Sequence, residues 1–168
     1  MNKIRILDIV EETMVDGPGL RTSIYCAGCS HHCPGCHNPE SWDFDGGYDM
    51  EIEDLLKVIN DDEFSNVTFT GGDPLFQVEA FTELARRIKE TSNKTIWCYS
   101  GYTLEQIQAD PHLAQILPYL DVLVDGLYMD ALRDTELLFR GSSNQRIIYL
   151  TPQEDDTIPG ATKLIEPK

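Results

Sequence analysis

Four of the five cysteines in this chain, Cys26, Cys29, Cys33 and Cys36, fall within eleven residues in the run CAGCSHHCPGC. Cys29 and Cys33 are separated by three residues and Cys33 and Cys36 by two. Three thiolates spaced so closely on one loop can hold three irons of a cubane 4Fe-4S cluster, leaving the fourth iron without a protein ligand and open to a substrate. Gly28, Pro34 and Gly35 suit a backbone that must turn tightly around inorganic sulfur. Two other chemistries use the same residues. Cys26 with Cys29 and Cys33 with Cys36 make two CxxC pairs for structural zinc, although the connection between them is short for a zinc ribbon. Cys26, Cys29 and Cys33 before Pro34 also echo the end of a ferredoxin run, which would make the protein an electron carrier.

Further stretches narrow the choice. After an apolar run from Val67 to Thr70 comes Gly71-Gly72-Asp73-Pro74, which taken alone is a turn signal. Asp16-Gly17-Pro18-Gly19 with Arg21 precedes an early strand, CHNPESW runs from Cys36 to Trp42, DVLVDG from Asp121 to Gly126, and FRGSSNQRI from Phe139 to Ile147. The CxxxCxxC of Cys29, Cys33 and Cys36 resembles the motif of the radical S-adenosylmethionine superfamily, and GGDP is similar to its GGE-type motif, with Asp73 where Glu is commoner. The remaining stretches resemble the activating proteins of anaerobic ribonucleoside-triphosphate reductase over nearly the whole chain to about Leu150. The DGPG and CHNPESW stretches are shared with the activase of pyruvate formate-lyase, and FRGSSNQRI favours the reductase activators.

The resemblance implies a 4Fe-4S cluster on Cys29, Cys33 and Cys36 whose open iron is chelated by the amino and carboxylate groups of S-adenosylmethionine. It implies a backbone at Gly71, Gly72, Asp73 and Pro74 that receives the methionine amino group, and contact of Gly35, Cys36 and His37 with the adenine part. Reductive cleavage to methionine and a 5′-deoxyadenosyl radical, abstraction of hydrogen from a glycine of the reductase, and flavodoxin or ferredoxin as electron donor follow from the same likeness. The rivals are activation of another glycyl-radical enzyme, such as pyruvate formate-lyase, and a zinc-stabilised interaction module without catalysis.

These residues need a scaffold, and alternating apolar patterns supply one. An N-cap near Asp49 opens a predicted helix with Ile52, Leu55, Leu56 and Ile59 on one stripe, and Val78, Phe81, Leu84, Ala85 and Ile88 mark a second helix. A weaker helical stretch covers about Leu104 to Leu117, broken at Pro111. Strands are predicted at Ile4 to Val10, Thr22 to Cys26, Val67 to Thr70, Thr95 to Tyr99, Val122 to Val124 and Arg146 to Leu150. The alternation predicts an α/β class with parallel strands and outer helices. At 168 residues the chain falls short of the roughly 250 of a complete eightfold barrel, so an incomplete (partial) β/α barrel is expected, with a flavodoxin-like open sheet as competitor. Residues 1–151 form the expected core domain, with the cluster loop at 26–47. Residues 152–168 read as a loosely packed acidic, proline-containing tail.

In either architecture ligands belong at the carboxyl ends of the strands. That places Tyr99, Ser100, Gly101 and Tyr102 on the active face, where Ser100 can meet ribose or methionine groups, and Asp125 at a strand end, where it can orient a cofactor or hold a cation. FRGSSNQR precedes its strand and falls on the opposite rim if that strand is parallel. Cys26 and Cys98 read as small buried hydrophobes, His31 and His32 as bystanders, and Trp42 as a cover for the cysteine loop. A net charge of −16, from 13 Lys and Arg against 29 Asp and Glu, repels a phosphate backbone and excludes nucleic acid as a natural partner. No apolar run approaches the roughly 18 to 20 residues of a membrane span, and the cysteine usage suits a reducing compartment, so a cytoplasmic protein away from membranes is expected. Arg86, Arg87 and Lys89 are the candidate basic patch for an acidic electron donor.

Overall fold

The computed structural model describes residues 3–31, 42–152 and 158–163. Twelve helices and strands matter for the site: β1 (Lys3–Thr13), β2 (Arg21–Cys26), β3 (Tyr48–Glu51), α1 (Ile52–Asp61), β4 (Asn66–Gly71), α2 (Val78–Thr91), β5 (Ile96–Tyr99), α3 (Leu104–Ala109), α4 (Pro111–Ala114), β6 (Val122–Asp125), β7 (Arg146–Tyr149) and β8 (Thr162–Lys163). All the strands join one sheet in the order β3-β1-β2-β4-β5-β6-β7-β8. The sheet is mixed and open. Its centre, β2-β4-β5-β6, is parallel, and β1 and β3 add antiparallel strands at one side.

Side chains alternate between the two faces of each strand, and each face has its own core. Ile24, Phe69, Ile96, Cys98, Leu123 and Ile148 pack with Leu55, Ile59, Phe81, Leu84, Ile88 and Ile107, so α1, α2 and α3 all cover the same face. On the other face Trp97, Val122, Val124, Ile147 and Tyr149 form a smaller core with Ile158. The parallel strands follow one another across the sheet in chain order without reversal.

Several expectations need correction. Asp49 is not a helix cap: it lies within β3, and Glu51 occupies the cap position of α1. The periodic stripe located the helix correctly, but a short strand with exposed residues carries no apolar signal of its own. β7 runs antiparallel to β6, with Arg146 opposite Asp125 and Tyr149 opposite Val122. The segment before β7 therefore lies at the same rim as the carboxyl ends of the parallel strands, not at the opposite one. Within the expected tail, Ile158 is buried beside Trp97 and β8 pairs with β7, while Pro159, Gly160, Thr162 and Lys163 are exposed.

The loop between β1 and β2 folds back over the face that the helices leave bare. Gly17 has a positive φ of 139°, and a Cβ there would lie 2.7 Å from Arg21 Cδ, so only glycine lets the chain pass so close. Arg21 is itself buried. Its Nε donates to Thr68 Oγ1 at 2.8 Å and its Nη2 to Val67 O at 2.9 Å, with the guanidinium 5.5 Å from the Trp97 ring centre. Burial lowers its pKa to about 10, because desolvation opposes the charge.

Candidate active site

The carboxyl ends of β2, β4, β5 and β6 open on a cavity of about 390 Å³, within the usual range for small-molecule sites. Cys29 and His31 line it from the loop after β2, Gly71, Gly72 and Asp73 from the turn after β4, and Tyr99, Ser100 and Gly101 from the end of β5. The first two of these loops are bonded directly. Gly72 N donates to Cys26 O at 2.8 Å, and Asp73 N to Gly28 O at 2.9 Å. Gly71 makes the contact possible. With φ at 105°, it sits where a Cβ would be 2.4 Å from Cys26 N and 2.6 Å from Cys26 O.

Asp73 organises this end of the cavity. It is 1% exposed, and its Oδ1 accepts from Leu75 N at 3.0 Å, capping the 3-10 turn Pro74–Gln77. Its Oδ2 accepts from Ser100 Oγ at 3.0 Å, Gly101 N at 2.9 Å and His31 Nε2 at 2.8 Å. A carboxylate buried this deeply is tolerable because every one of these donors is satisfied by it. Ser100 in turn accepts from Tyr102 N at 3.1 Å, so its hydroxyl holds the loop together from within the cavity wall. Pro74 is buried at the start of the turn and is not among the cavity-lining residues.

Cys29 is 9% exposed and faces the cavity. Its N–H meets Trp42 O at 3.4 Å, while the ring pressed against Gly28 belongs to Phe44. Cys26 and Cys98 are wholly enclosed in the helix-side core, and desolvation pushes both thiols well above their ordinary pKa, which keeps them protonated and inert. Cys33 and Cys36, with Gly35 and His37, lie outside the described residues.

Asp125 is brought to this rim but turned to other work. Its carboxylate accepts from Leu104 N at 2.7 Å and Arg146 Nε at 3.0 Å, and it is not among the residues lining the cavity. The cation it holds is a guanidinium, whose pKa the hydrogen bond to Asp125 raises. Arg86, Arg87 and Lys89 do not form a free basic patch. Arg86 pairs with Glu83 and Glu90, Arg87 with Glu83, and Lys89 with Asp121.

Residue-by-residue reading missed several members of the site. His31, dismissed as a bystander, donates to Asp73 and sits 4.8 Å, ring centre to ring centre, from Tyr102 in an edge-on contact. Asp16 lines the cavity, accepts a hydrogen bond from Tyr25 Oη and offers its carbonyl to Thr68 Oγ1 at 2.8 Å. Arg140, Gly141 and Gln145 form the far wall. DGPG and FRGSSNQRI were visible as motifs, but their place at the cavity depends on chain reversals that no local pattern announces.

A cysteine loop hydrogen-bonded to a Gly-Gly-Asp turn, both facing one cavity of a single-sheet α/β domain, defines the class of a small-molecule-binding α/β protein with a thiol at its cavity. A family model described as a 4Fe-4S single cluster domain matches residues 15–148. Among curated relatives, the anaerobic ribonucleoside-triphosphate reductase-activating protein of Pasteurella multocida is 40% identical over 144 residues, covering 81% of this chain and 90% of the relative. The protein of that name from Escherichia coli K12 is 36% identical over 145 residues (82% and 93%), and that of Enterobacteria phage T4 is 35% identical over 139 residues (79% and 86%). This chain belongs to the family of anaerobic ribonucleoside-triphosphate reductase-activating proteins.

Proposed function

We propose that the protein activates an anaerobic ribonucleoside-triphosphate reductase by radical S-adenosylmethionine chemistry, with its 4Fe-4S cluster held by Cys29, Cys33 and Cys36. The observation that carries this reading is the direct bonding of the Cys29 loop to the Gly71–Asp73 turn, Asp73 N to Gly28 O at 2.9 Å, which brings a thiol, a soft metal ligand once ionised, and a Gly-Gly-Asp turn to one cavity. Among the described residues, the one-directional strand order and the single helix-covered face fit a partial barrel rather than a doubly wound sheet, which reverses its order and carries helices on both faces.

When bound, the reduced cluster and S-adenosylmethionine together supply the one-electron cleavage of the C5′–S bond that yields methionine and the radical that takes hydrogen from a glycine Cα. The chain's own residues bind and orient. Gly71, Gly72 and Asp73 offer backbone groups to the methionine amino group, and Ser100 and His31 keep the Asp73 carboxylate from moving. The family likeness assigns Gly35, Cys36 and His37 to the adenine part. Among the described residues the sheet is not closed, and we assign its open side to the entry of a polypeptide loop. Flavodoxin or ferredoxin is the donor we assign.

Anaerobic reconstitution with iron and sulfide, followed by reduction with dithionite and mixing with S-adenosylmethionine and purified apo-reductase, tests the reading. The expected result is 5′-deoxyadenosine formation and a glycyl doublet by electron paramagnetic resonance in the reductase, and none in pyruvate formate-lyase. Serine at Cys29, Cys33 or Cys36 abolishes both signals, whereas Cys26→Ser retains them. Uptake of zinc without iron, or activity that survives at Cys29→Ser and is lost at Cys26→Ser, overturns the assignment.

A further inference from the structure

The FRGSSNQR segment has no place in the chemistry above, yet the antiparallel β7 brings it to the cavity. Most of its polar side chains are occupied in holding the loop. Gln145 Oε1 accepts from Gly141 N at 2.8 Å and Ser142 N at 3.2 Å, while its Nε2 donates to Gly126 O at 3.1 Å. Ser142 Oγ accepts from Met129 N at 3.1 Å, Asn144 Nδ2 donates to Leu127 O at 2.7 Å, and Arg146 pairs with Asp125 and Glu105. The loop is thereby clamped onto residues 126–129, and Phe139, at a positive φ of 61°, packs its ring edge-on to Trp97.

Arg140 is the exception. It lines the cavity, and in a chain with a net charge of −16 its guanidinium pairs with no carboxylate among the described residues. Its Nη1 and Nη2 reach only Gln145 O and Pro159 O, each at 3.4 Å, and its buried Nε has no partner. A guanidinium fork so weakly engaged has donors to give. β7 is four strand positions from β2 in the sheet order, so the loop that carries Arg140 borders the cavity on the side away from the cysteine loop. The methionine groups of S-adenosylmethionine, which would chelate an iron held by the cysteine loop, belong at the opposite wall. The rim beside it exposes Leu127, Met129 and Leu138, apolar surface suited to side chains of a polypeptide rather than to a nucleotide.

We propose that Arg140 binds main-chain carbonyl oxygens of the glycine-bearing segment of the partner reductase, holding that segment against the cavity wall formed by residues 139–145. This rests on the activase reading and adds the residue that grips its macromolecular substrate. Reconstituted holo-protein carrying Arg140→Gln is titrated with purified apo-reductase by calorimetry and, separately, with S-adenosylmethionine by equilibrium dialysis. Losing charge-assisted hydrogen bonds should weaken reductase binding roughly 10- to 100-fold. Affinity for S-adenosylmethionine should stay within about twofold, since this ligand lies toward the other wall. Arg140→Lys, which keeps the charge but not the fork, should fall between wild type and Arg140→Gln, and it decides the matter if Arg140→Gln does not fold. Lys57→Gln, on the exposed side of α1, is the charge-matched control and should change neither affinity. A loss confined to S-adenosylmethionine assigns Arg140 to the small molecule and overturns the proposal. Equal losses for both ligands, or no loss for either, reduce the loop to scaffold and overturn it as well. Wild-type protein that forms no 5′-deoxyadenosine instead removes the activase reading beneath it.

Discussion

Asp73 shows how one buried side chain can hold together the wall of a cavity. Its two oxygens take four donors, from Leu75, Ser100, Gly101 and His31, that belong to three separate segments of the chain. Asn in its place keeps the volume but turns one acceptor into a donor, which must then face at least one N–H or O–H it cannot accept. Asp73→Asn is expected to cost about 1–3 kcal/mol, the usual penalty for a buried polar group left unmatched. It should also lower S-adenosylmethionine affinity, because the Gly71–Asp73 turn and the Ser100 loop lose their common anchor. Thermal unfolding and equilibrium dialysis check the two parts, and an unchanged melting temperature would show that these hydrogen bonds do not hold the turn. The motif GGDP was legible in the sequence and so was its place after a strand. The donors that converge on Asp73 were not, since His31 and Gly101 are 42 and 28 residues away along the chain.

At the level of elements, the decisive event is the reversal between β6 and β7. Alternation of strand and helix up to Asp125 leads to an expectation of continued parallel pairing, and Arg146 to Leu150 looks like any other apolar strand. In the structure no helix of any length intervenes between β6 and β7, only a short 3-10 turn at Asp130–Leu132. A connection without a crossover helix returns the chain antiparallel. Asp125 fastens this corner, taking Arg146 from β7 and the N-terminal Leu104 N–H of α3. Asp125→Ala should therefore destabilise the protein by about 2 kcal/mol, a modest figure because Arg146 keeps Glu105 as a partly solvated partner. In a domain of this size that is a fall of roughly 4–8 °C in melting temperature, measurable by calorimetry. If Asp125 instead orients the cofactor, S-adenosylmethionine affinity will drop more steeply than stability.

For the whole molecule, the excess of acidic residues governs encounters. With Arg86, Arg87 and Lys89 each engaged by a carboxylate, the α2 surface has no unpaired cationic patch to draw in an acidic flavodoxin or ferredoxin. Like-charge repulsion then slows collision, and added salt screens it. Cluster reduction by such a donor, followed by stopped-flow absorbance, should speed up severalfold between about 10 and 150 mM ionic strength, where the Debye length contracts from about 30 to 8 Å. A rate that falls with salt would reveal a complementary patch. The sequence by itself determined the family and most of the elements: the cysteine spacing, the Gly71-Gly72 pair and the helical stripes are local properties, read over a handful of consecutive residues. Tertiary structure alone decided which motifs share a cavity. Strand direction, the folding back of residues 14–20 and the packing of Ile158 against Trp97 depend on burial between segments far apart in the chain, and no short-range pattern encodes that contact.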